Sequence, residues 1–382
     1  MNKIKRIAVT GFRRLNNIEI KTRPLMVLIG ANGVGKTSVL DAISLLSSSA
    51  AGVMNRTLSE MGGVTDTLTR GSSGGISLSA DMEVPRYEPL EYSLHIEPKG
   101  QAYNISSEIL SQTRPRHIEP FKHIESQYGD IRYFDIKTNK LVRPTWQHNP
   151  NESSLSQVPK MWYEPEELRR VLSSVTKYHV LDVSQRALVK LPQQMKPTDL
   201  PGENGENLIP FLYYLRESDR RRYESIEDTL KSAFPGFENL NFPPVAAGML
   251  SMTWKEKAFS NPIYIHQLSE GTLRFLWLIS LLQSPGLSTI TMIDEPEVSL
   301  HPELLRLLAD LMREASARTQ IIVATHSDRL IRFLEPKEVS VMDIDDNGFS
   351  TIIWADSLDI ERWLSEYSLD EVWRLGRMGG RP

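Results

Sequence analysis

Apolar positions along the chain follow two rhythms, one alternating or continuous over short runs, the other returning every third or fourth residue. Residues 3–10 (KIKRIAVT) and 25–29 (LMVLI) read as strands, the second apolar throughout, as a strand buried on both faces should be. A helix is predicted from Lys36 to Ser47, because Val39, Leu40, Ile43 and Leu46 are spaced to share one face. Residues 49–75 are small, polar and glycine-rich and read as a loop excursion. Alternation returns at 76–84 (ISLSADMEV) and 91–96 (EYSLHI), the pattern of antiparallel strands.

From 110 to 160 the text is irregular and rich in Pro, Gln and Asn, which reads as an insertion or mobile loop. A short apolar strand is expected at 178–183 (YHVLDV), then helices at 206–217 and 219–233, the second stopping before Phe234-Pro235-Gly236. Strands follow near 249–254 and 262–266. The pattern then turns α/β: helix 269–283, strand 289–293, helix 302–316, strand 320–324, helix 327–334, strand 338–343. There is no repeat of fixed period and no sustained heptad, so no long coiled coil is expected.

Composition narrows the picture. With 382 residues the chain suits two domains, or one large domain carrying an insertion. Its 44 basic and 48 acidic residues give a net charge of -4, which excludes a strongly basic coat for nucleic acid but not a local basic groove. Basic groups that could line one stand at Arg169-Arg170, Arg220 to Arg222, and Arg374, Arg377 and Arg381, although such runs are more often solvated helix faces. There is no cysteine, so disulfides, cysteine nucleophiles and thiolate metal sites are excluded. The N-terminal stretch lacks the apolar core of a signal peptide, and no apolar run approaches a membrane span. A soluble, cytoplasmic protein with no membrane partner is expected.

The first chemical motif is Gly30-Ala31-Asn32-Gly33-Val34-Gly35-Lys36-Thr37, a full G-x-x-x-x-G-K-T between an apolar strand and a helix. Glycines let the backbone curl so that several N–H groups face one anion, and the helix N-terminus adds its dipole. Lys36 can reach the β- and γ-phosphates, and the Thr37 hydroxyl can ligate Mg²⁺. This loop alone leaves kinase, GTPase and ATPase open.

The C-terminal half chooses among them. Thr289 to Pro296 (TITMIDEP) is a buried strand ending in two carboxylates. Asp294 suffices to hold Mg²⁺ through water, leaving Glu295 to orient or deprotonate the water that attacks the γ-phosphate. Ile321 to Ser327 (IIVATHS) repeats the design, and parallel strands would bring His326 to the same sheet edge, where it could sense or stabilise the γ-phosphate. Gln267 to Arg274 (QLSEGTLR) opens a helix whose Ser269, Gly271 and N-terminus make a second anion-binding surface. One chain rarely wraps two such surfaces around one triphosphate. The economical arrangement is two subunits head to tail.

These motifs together resemble an ABC-type ATPase head of the RecF/SMC kind. GANGVGKT resembles the Walker A loop, LSEGT the signature usually written LSGGQ, TMIDEPE the Walker B strand, VSLHP the D-loop region and VATHS the switch-histidine strand. More narrowly, FRRLNNIEI, EGTLRFLWL, DEPEVSLHPELL and EVWRLGRMGGRP are similar to stand-alone AAA_21-like ATPases that lack a coiled coil. The resemblance implies an α/β P-loop head of mixed β-sheets with an inserted helical lobe. Its expected parts are residues 1–104 and 246–345 as the two halves of the head, 105–245 as insertion and lobe, and 346–382 as a tail. It further implies an ATP-dependent homodimer closing on two ATP and Mg²⁺. Nucleotide contacts would come from Asn32, Gly33, Val34, Gly35, Lys36, Thr37 and Ser38, with Ser269 and Gly271 reaching across from the partner. Two departures stand out, Glu270 where the signature usually has Gly and Thr272 where it has Gln. The glutamine loop has no clear counterpart; Gln185 is the candidate, because it follows the strand expected to lead into the lobe. Arg13 is a candidate for nucleotide or dimer contact.

Three functions compete. The leading one is an ATP-binding and ATP-hydrolysing switch in DNA repair or anti-phage-type defence, acting through DNA or an effector. The second is a regulatory subunit that holds a separate nuclease or toxin in check. The third, a transporter's ATPase subunit, suits the sequence less, because 238 positions separate Gly30 from Leu268 where transporter subunits have a shorter gap.

Overall fold

The computed structural model describes residues 3–71, 74–100, 102–114 and 119–379. Arg381 lies outside them. Strands β1 (Ile4–Thr10) and β2 (Ile18–Lys21) form a hairpin, and β3 (Leu25–Ile29) runs into the glycine loop and helix α1 (Lys36–Ala51). Gly52 ends α1 in a left-handed conformation, returning its N–H to the carbonyls of Ser48 and Ser49. The stretch expected as a loop at 49–75 extends α1 and adds α2 (Met54–Glu60) and α3 (Val64–Thr67). Only Met54, Leu58 and Val64 supply their buried apolar faces, too few to set a period in the sequence.

Strands β4 (Ile76–Met82), β5 (Leu90–Lys99), β6 (Ala102–Gln112), β7 (Phe121–Gln127), β8 (Asp130–Asp135) and β9 (Lys140–Val142) continue the β1–β2 hairpin. Together they make an eight-stranded antiparallel sheet in the order β2-β1-β4-β5-β6-β7-β8-β9. The irregular insertion expected at 110–160 is therefore corrected: much of it is regular sheet. Its alternation is masked because buried positions carry polar side chains, including His123 and Ser126 on β7 and Glu108 and Ser111 on β6. Glu108 is wholly buried and accepts hydrogen bonds from the N–H groups of Ser154 (2.5 Å) and Leu155 (2.8 Å) and from the Tyr92 hydroxyl (3.0 Å). A helix the pattern did not suggest, α4 (Tyr163–Ser173), packs Leu168, Val171 and Leu172 toward α1.

Strand β10 (Thr176–Tyr178) is shorter than the run expected at 178–183, because the chain leaves the sheet at His179. The lobe beyond it contains β11 (Gln193–Gln194), α5 (Leu208–Ser218), α6 (Arg220–Ala233), β12 (Phe237–Asn241), β13 (Met249–Leu250), β14 (Thr253–Glu256) and β15 (Ile263–Tyr264). Helix α7 (Glu270–Leu282) leads back to β16 (Ile290–Asp294), α8 (Pro302–Ser316), β17 (Gln320–Ala324), α9 (Asp328–Ile331), β18 (Val339–Ile344) and β19 (Ser350–Trp354). Short helices α10 (Glu361–Leu364) and α11 (Leu369–Arg374) follow, and α11 packs on α9.

The second large sheet has the order β10-β16-β17-β3-β18-β19, parallel except for β19. It divides the interior in two. Leu25, Val27, Ile29, Ile321 and Val323 face a core shared with α5 to α9 and α11, whereas Met26, Leu28, Ile322 and Ala324 face one shared with α1, α4 and the eight-stranded sheet. Burial on both faces explains the uninterrupted apolar runs of β3 and β17. Because β3, β16 and β17 are parallel, residues 30–37, 294–295 and 325–326 all emerge at one edge, the place where ligands bind in open α/β sheets.

Candidate functional site

The glycine loop is shaped by backbone geometry that side chains would obstruct. Gly30, Gly33 and Gly35 have φ of 150°, 81° and 106°. A Cβ at Gly30 would lie 2.4 Å from the Met342 carbonyl oxygen, and one at Gly35 would lie 2.5 Å from Ser350 Oγ. The loop is thus threaded against the β18–β19 hairpin, and Ser350 Oγ also donates to the Val34 carbonyl at 2.6 Å. Val34 is buried by the same packing, and its side chain does not line the cleft over the loop. The Lys36 ammonium folds back to donate to the carbonyls of Gly30 (2.7 Å) and Ala31 (3.0 Å). Burial lowers its pKa, against the opposing pull of Glu295, Asp294 and Glu297.

A cleft of about 640 Å³ opens over this loop. Asn32, Gly33, Gly35, Lys36, Thr37 and Ser38 line one side, and Asp294 and Glu295 face them. Its far walls, which the sequence did not reveal apart from Arg13, come from Arg13 and Arg14 after β1, from Asp66 and Leu68 to Arg70, and from the turn Asn347 to Phe349. Residues 67–69 are laid against 11–13, with Arg13 N–H donating to the Thr67 carbonyl (2.7 Å) and Thr69 N–H to that of Gly11 (2.9 Å).

Burial raises the Asp294 pKa, with Lys177 pulling against it. Lys177 donates to Asp41 Oδ1 at 2.6 Å, and Arg13 donates to the other oxygen of the same carboxylate at 2.5 Å. Asp41, one helical turn beyond Thr37 on α1, is a site neighbour that could have been found from that spacing. The desolvated Asp294 carboxylate and the Thr37 hydroxyl are two hard oxygen donors on one cleft. They fit Mg²⁺, which keeps most of its ligands as water and phosphate oxygens. No cluster of three or more His, Asp or Glu able to hold a metal occurs among the described residues.

Glu295 has φ of 51°, a left-handed conformation uncommon outside glycine. Its N–H donates to the Ala324 carbonyl at 2.8 Å, and its Oε1 lies 3.1 Å from His326 Nδ1. Glu295 and His326 are therefore brought together, both about half exposed.

The Ser269 segment sits elsewhere. Ser269 caps α7, its Oγ accepting from Thr272 N–H at 3.2 Å and lying 2.8 Å from Thr272 Oγ1. Neither Ser269 nor Gly271 lines the cleft over the glycine loop. Gly271 is instead pressed against the loop after the carboxylate strand, where a Cβ would lie 2.5 Å from the Ser299 carbonyl oxygen. Arg274 completes this joint by donating to Ser299 Oγ and, at 3.2 Å, to the Leu181 carbonyl. Gln185 lies in an exposed turn and does not line the cleft either. With β10 so short, the polar residues near Asp294 on that side are Lys177 and His179. Most of the basic residues marked as a candidate groove are engaged in ion pairs: Arg169 with Glu166, Arg170 with Glu167, Arg220 with Glu224, Arg222 with Asp219 and, across the fold, Arg374 with Asp328, while Arg377 lies over the Trp363 ring.

A glycine loop, a carboxylate strand and a histidine strand at one edge of such a sheet define an ABC-type P-loop ATPase of the RecF/SMC class. Residues 25–332 match the family AAA_21, described as "AAA domain, putative AbiEii toxin, Type IV TA system", and the chain belongs to that family. It is also similar to the DNA replication and repair protein RecF of Pseudomonas savastanoi pv. phaseolicola (strain 1448A / Race 6), with 28% identity over 155 residues. That match covers 38% of this chain, which spans about two-fifths (41%) of the relative's length. Among solved structures, an Smc head bound to the C-winged helix domain of ScpA superposes with a TM-score of 0.55 at 16% identity, covering 92% of this chain and 97% of that one. An Smc head with an extended coiled coil, bound to the C-terminal domain of ScpA and derived from Pyrococcus furiosus, gives 0.54 at 12%, covering 96% and 98%. The fold is the same. The longest helix among the described residues is the 16-residue α1, so no arm of that kind is found there. Nor is any helix among them long and apolar enough to cross a membrane.

Proposed function

We propose that this protein is an ATP-hydrolysing switch that closes as a head-to-tail homodimer around two nucleotides. The observation that carries the reading is a division of the motifs. Lys36, Thr37, Asp294 and Glu295 share one cleft, while Ser269 and Gly271 lie outside it on the same chain. A second copy would bring its Ser269 surface to the open side of that cleft.

In this reading Lys36 exchanges the carbonyls of Gly30 and Ala31 for phosphate oxygens, and the loop N–H groups hold the β-phosphate. Thr37 and Asp294 would hold Mg²⁺, which supplies charge neutralisation on the β- and γ-phosphates when bound. Glu295 accepts a proton from the attacking water, and His326 steadies the γ-phosphate. Ser269 and the first turn of α7 contribute N–H and hydroxyl donors from the partner. Arg274 and Gly271 fix that turn to the loop after β16, so closure at one site is mechanically tied to the carboxylates of the other.

The RecF relative points to DNA replication and repair, and the family description to a toxin–antitoxin system. We propose the same gated dimer in either setting, in the cytoplasm, with DNA or an effector nuclease or toxin as the partner read by the closed form. The test is the Glu295→Gln variant with ATP and Mg²⁺. It is expected to bind ATP and elute as a stable dimer, whereas wild type returns to monomer as ATP is consumed. A variant that binds ATP normally yet stays monomeric by light scattering would overturn the sandwich.

A further inference from the structure

We propose that Glu297 is a positioning residue that holds the proton of His326 on Nδ1. The role rests on the proposed part of His326 at the γ-phosphate, but its geometry is independent of any nucleotide. The Glu297 side chain is only 8% exposed, against 42% for Glu295 and 50% for His326. Its Oε1 accepts a hydrogen bond from the Thr325 hydroxyl at 2.5 Å. That hydroxyl in turn accepts the Ser327 N–H at 3.0 Å, so its single proton is committed to Glu297 and the carboxyl is fixed in orientation. The same Oε1 lies 4.0 Å from His326 Nδ1, and Oε2 is buried with no hydrogen-bond partner.

His326 Nδ1 thus sits between two carboxyl groups with different environments. Glu295, at 3.1 Å, is open to the cleft and is the group proposed to engage water. When it turns to that water, an acceptor must remain on the Nδ1 side or the imidazole is free to change tautomer and rotate. Glu297 is that acceptor: it is buried, immobilised by Thr325, and has unused capacity. Oε1 accepts the Thr325 hydroxyl and keeps a lone pair to spare, and a ring shift of about 1 Å would bring Nδ1 within hydrogen-bond reach of it. Burial pushes the Glu297 carboxyl above the usual glutamate range, and the Thr325 hydrogen bond and the nearby imidazole pull it back. With Nδ1 held as a donor, Nε2 accepts from the attacking water when the ring is neutral and donates to a γ-phosphate oxygen when the ring carries its second proton. Which nitrogen carries the proton is set by what the other one touches.

The ring nitrogens report this directly. In uniformly ¹⁵N-labelled protein without nucleotide, at a pH where His326 is neutral, the long-range ¹H–¹⁵N spectrum is assigned by comparison with His326→Asn. Wild type and Glu295→Ala are expected to keep the Nδ1–H form. Glu295→Ala combined with Glu297→Leu should revert to the Nε2–H form that free histidine prefers, and Thr325→Val in the Glu295→Ala background should revert in part. A tautomer unchanged by loss of Glu297 would overturn the proposal, whether or not ATP is hydrolysed. In turnover assays, Glu297→Gln should lower kcat by about 10- to 100-fold, the range seen when an orienting partner is lost, with KM within about two-fold. A matching rise in KM would instead show that Glu297 touches the nucleotide. An absent wild-type ATPase would count against the proposed function and leave the tautomer result standing.

Discussion

Gly271 shows how a single atom constrains this site. Its missing Cβ is what lets the signature turn approach the Ser299 carbonyl, so Gly271→Ala must push the two apart. ATP binding to the glycine loop should be nearly unchanged, and turnover should fall by about 10-fold or more, since small displacements of positioned groups are costly. Isothermal titration and a phosphate-release assay separate the two; equal turnover would show that this joint is not needed. His123, buried on β7 with Nε2 unpartnered, makes a prediction of another kind. Desolvation lowers its pKa from 6.5 to about 4, with Arg114 adding to the effect and Glu164 opposing it. The native state therefore refuses a proton that the unfolded chain accepts, so stability present above pH 6.5 is lost as pH falls toward 4, by up to about 3 kcal/mol. His123→Phe should lose less over that window in urea unfolding. Parallel losses in the two proteins would exclude His123 as the source.

Among the elements, the strands that carry chemistry were the easiest to read, because β3, β16 and β17 are buried on both faces and are apolar over most of their length. The elements that were missed fail that condition. Strand β7 buries His123 and Ser126, β8 buries only Ile131 and Tyr133, β9 buries nothing, and α2 and α3 have too few apolar residues to set a period. Strand β10 ends early at His179, which is why Gln185, counted from a longer strand, falls in an exposed turn. One contact between sheets was also invisible. Gln320 at the start of β17 accepts the Ile4 N–H and donates to the Ile4 carbonyl, both at 2.9 Å, so a side chain substitutes for a strand pairing between β17 and β1. Gln320→Leu should destabilise the protein by about 1–3 kcal/mol, the cost of leaving buried backbone groups unpaired. Thermal unfolding indistinguishable from wild type would show that water replaces the amide.

For the molecule as a whole, nucleotide binding should appear as stability. ATP with Mg²⁺ at 100 times its Kd should stabilise the native state by about 2.7 kcal/mol. The resulting rise in Tm should vanish in Lys36→Ala, and a shift that persists there would place the nucleotide elsewhere. In Glu295→Gln the shift should also depend on protein concentration, because dimer closure adds to the linkage.

The order of motifs, the two-face burial of their strands and the glycines at 30, 33 and 35 determined the class of this protein from sequence alone. These features are local: a phosphate loop needs its residues at fixed spacing, and a strand buried on both faces is mostly apolar wherever it occurs. Only the tertiary structure decided which walls close the cleft, that Glu297 is buried beside His326, and that Gly271 and Arg274 meet the loop after β16. Those contacts join segments far apart in the chain, and no spacing rule encodes which of many polar residues will be brought within hydrogen-bond reach.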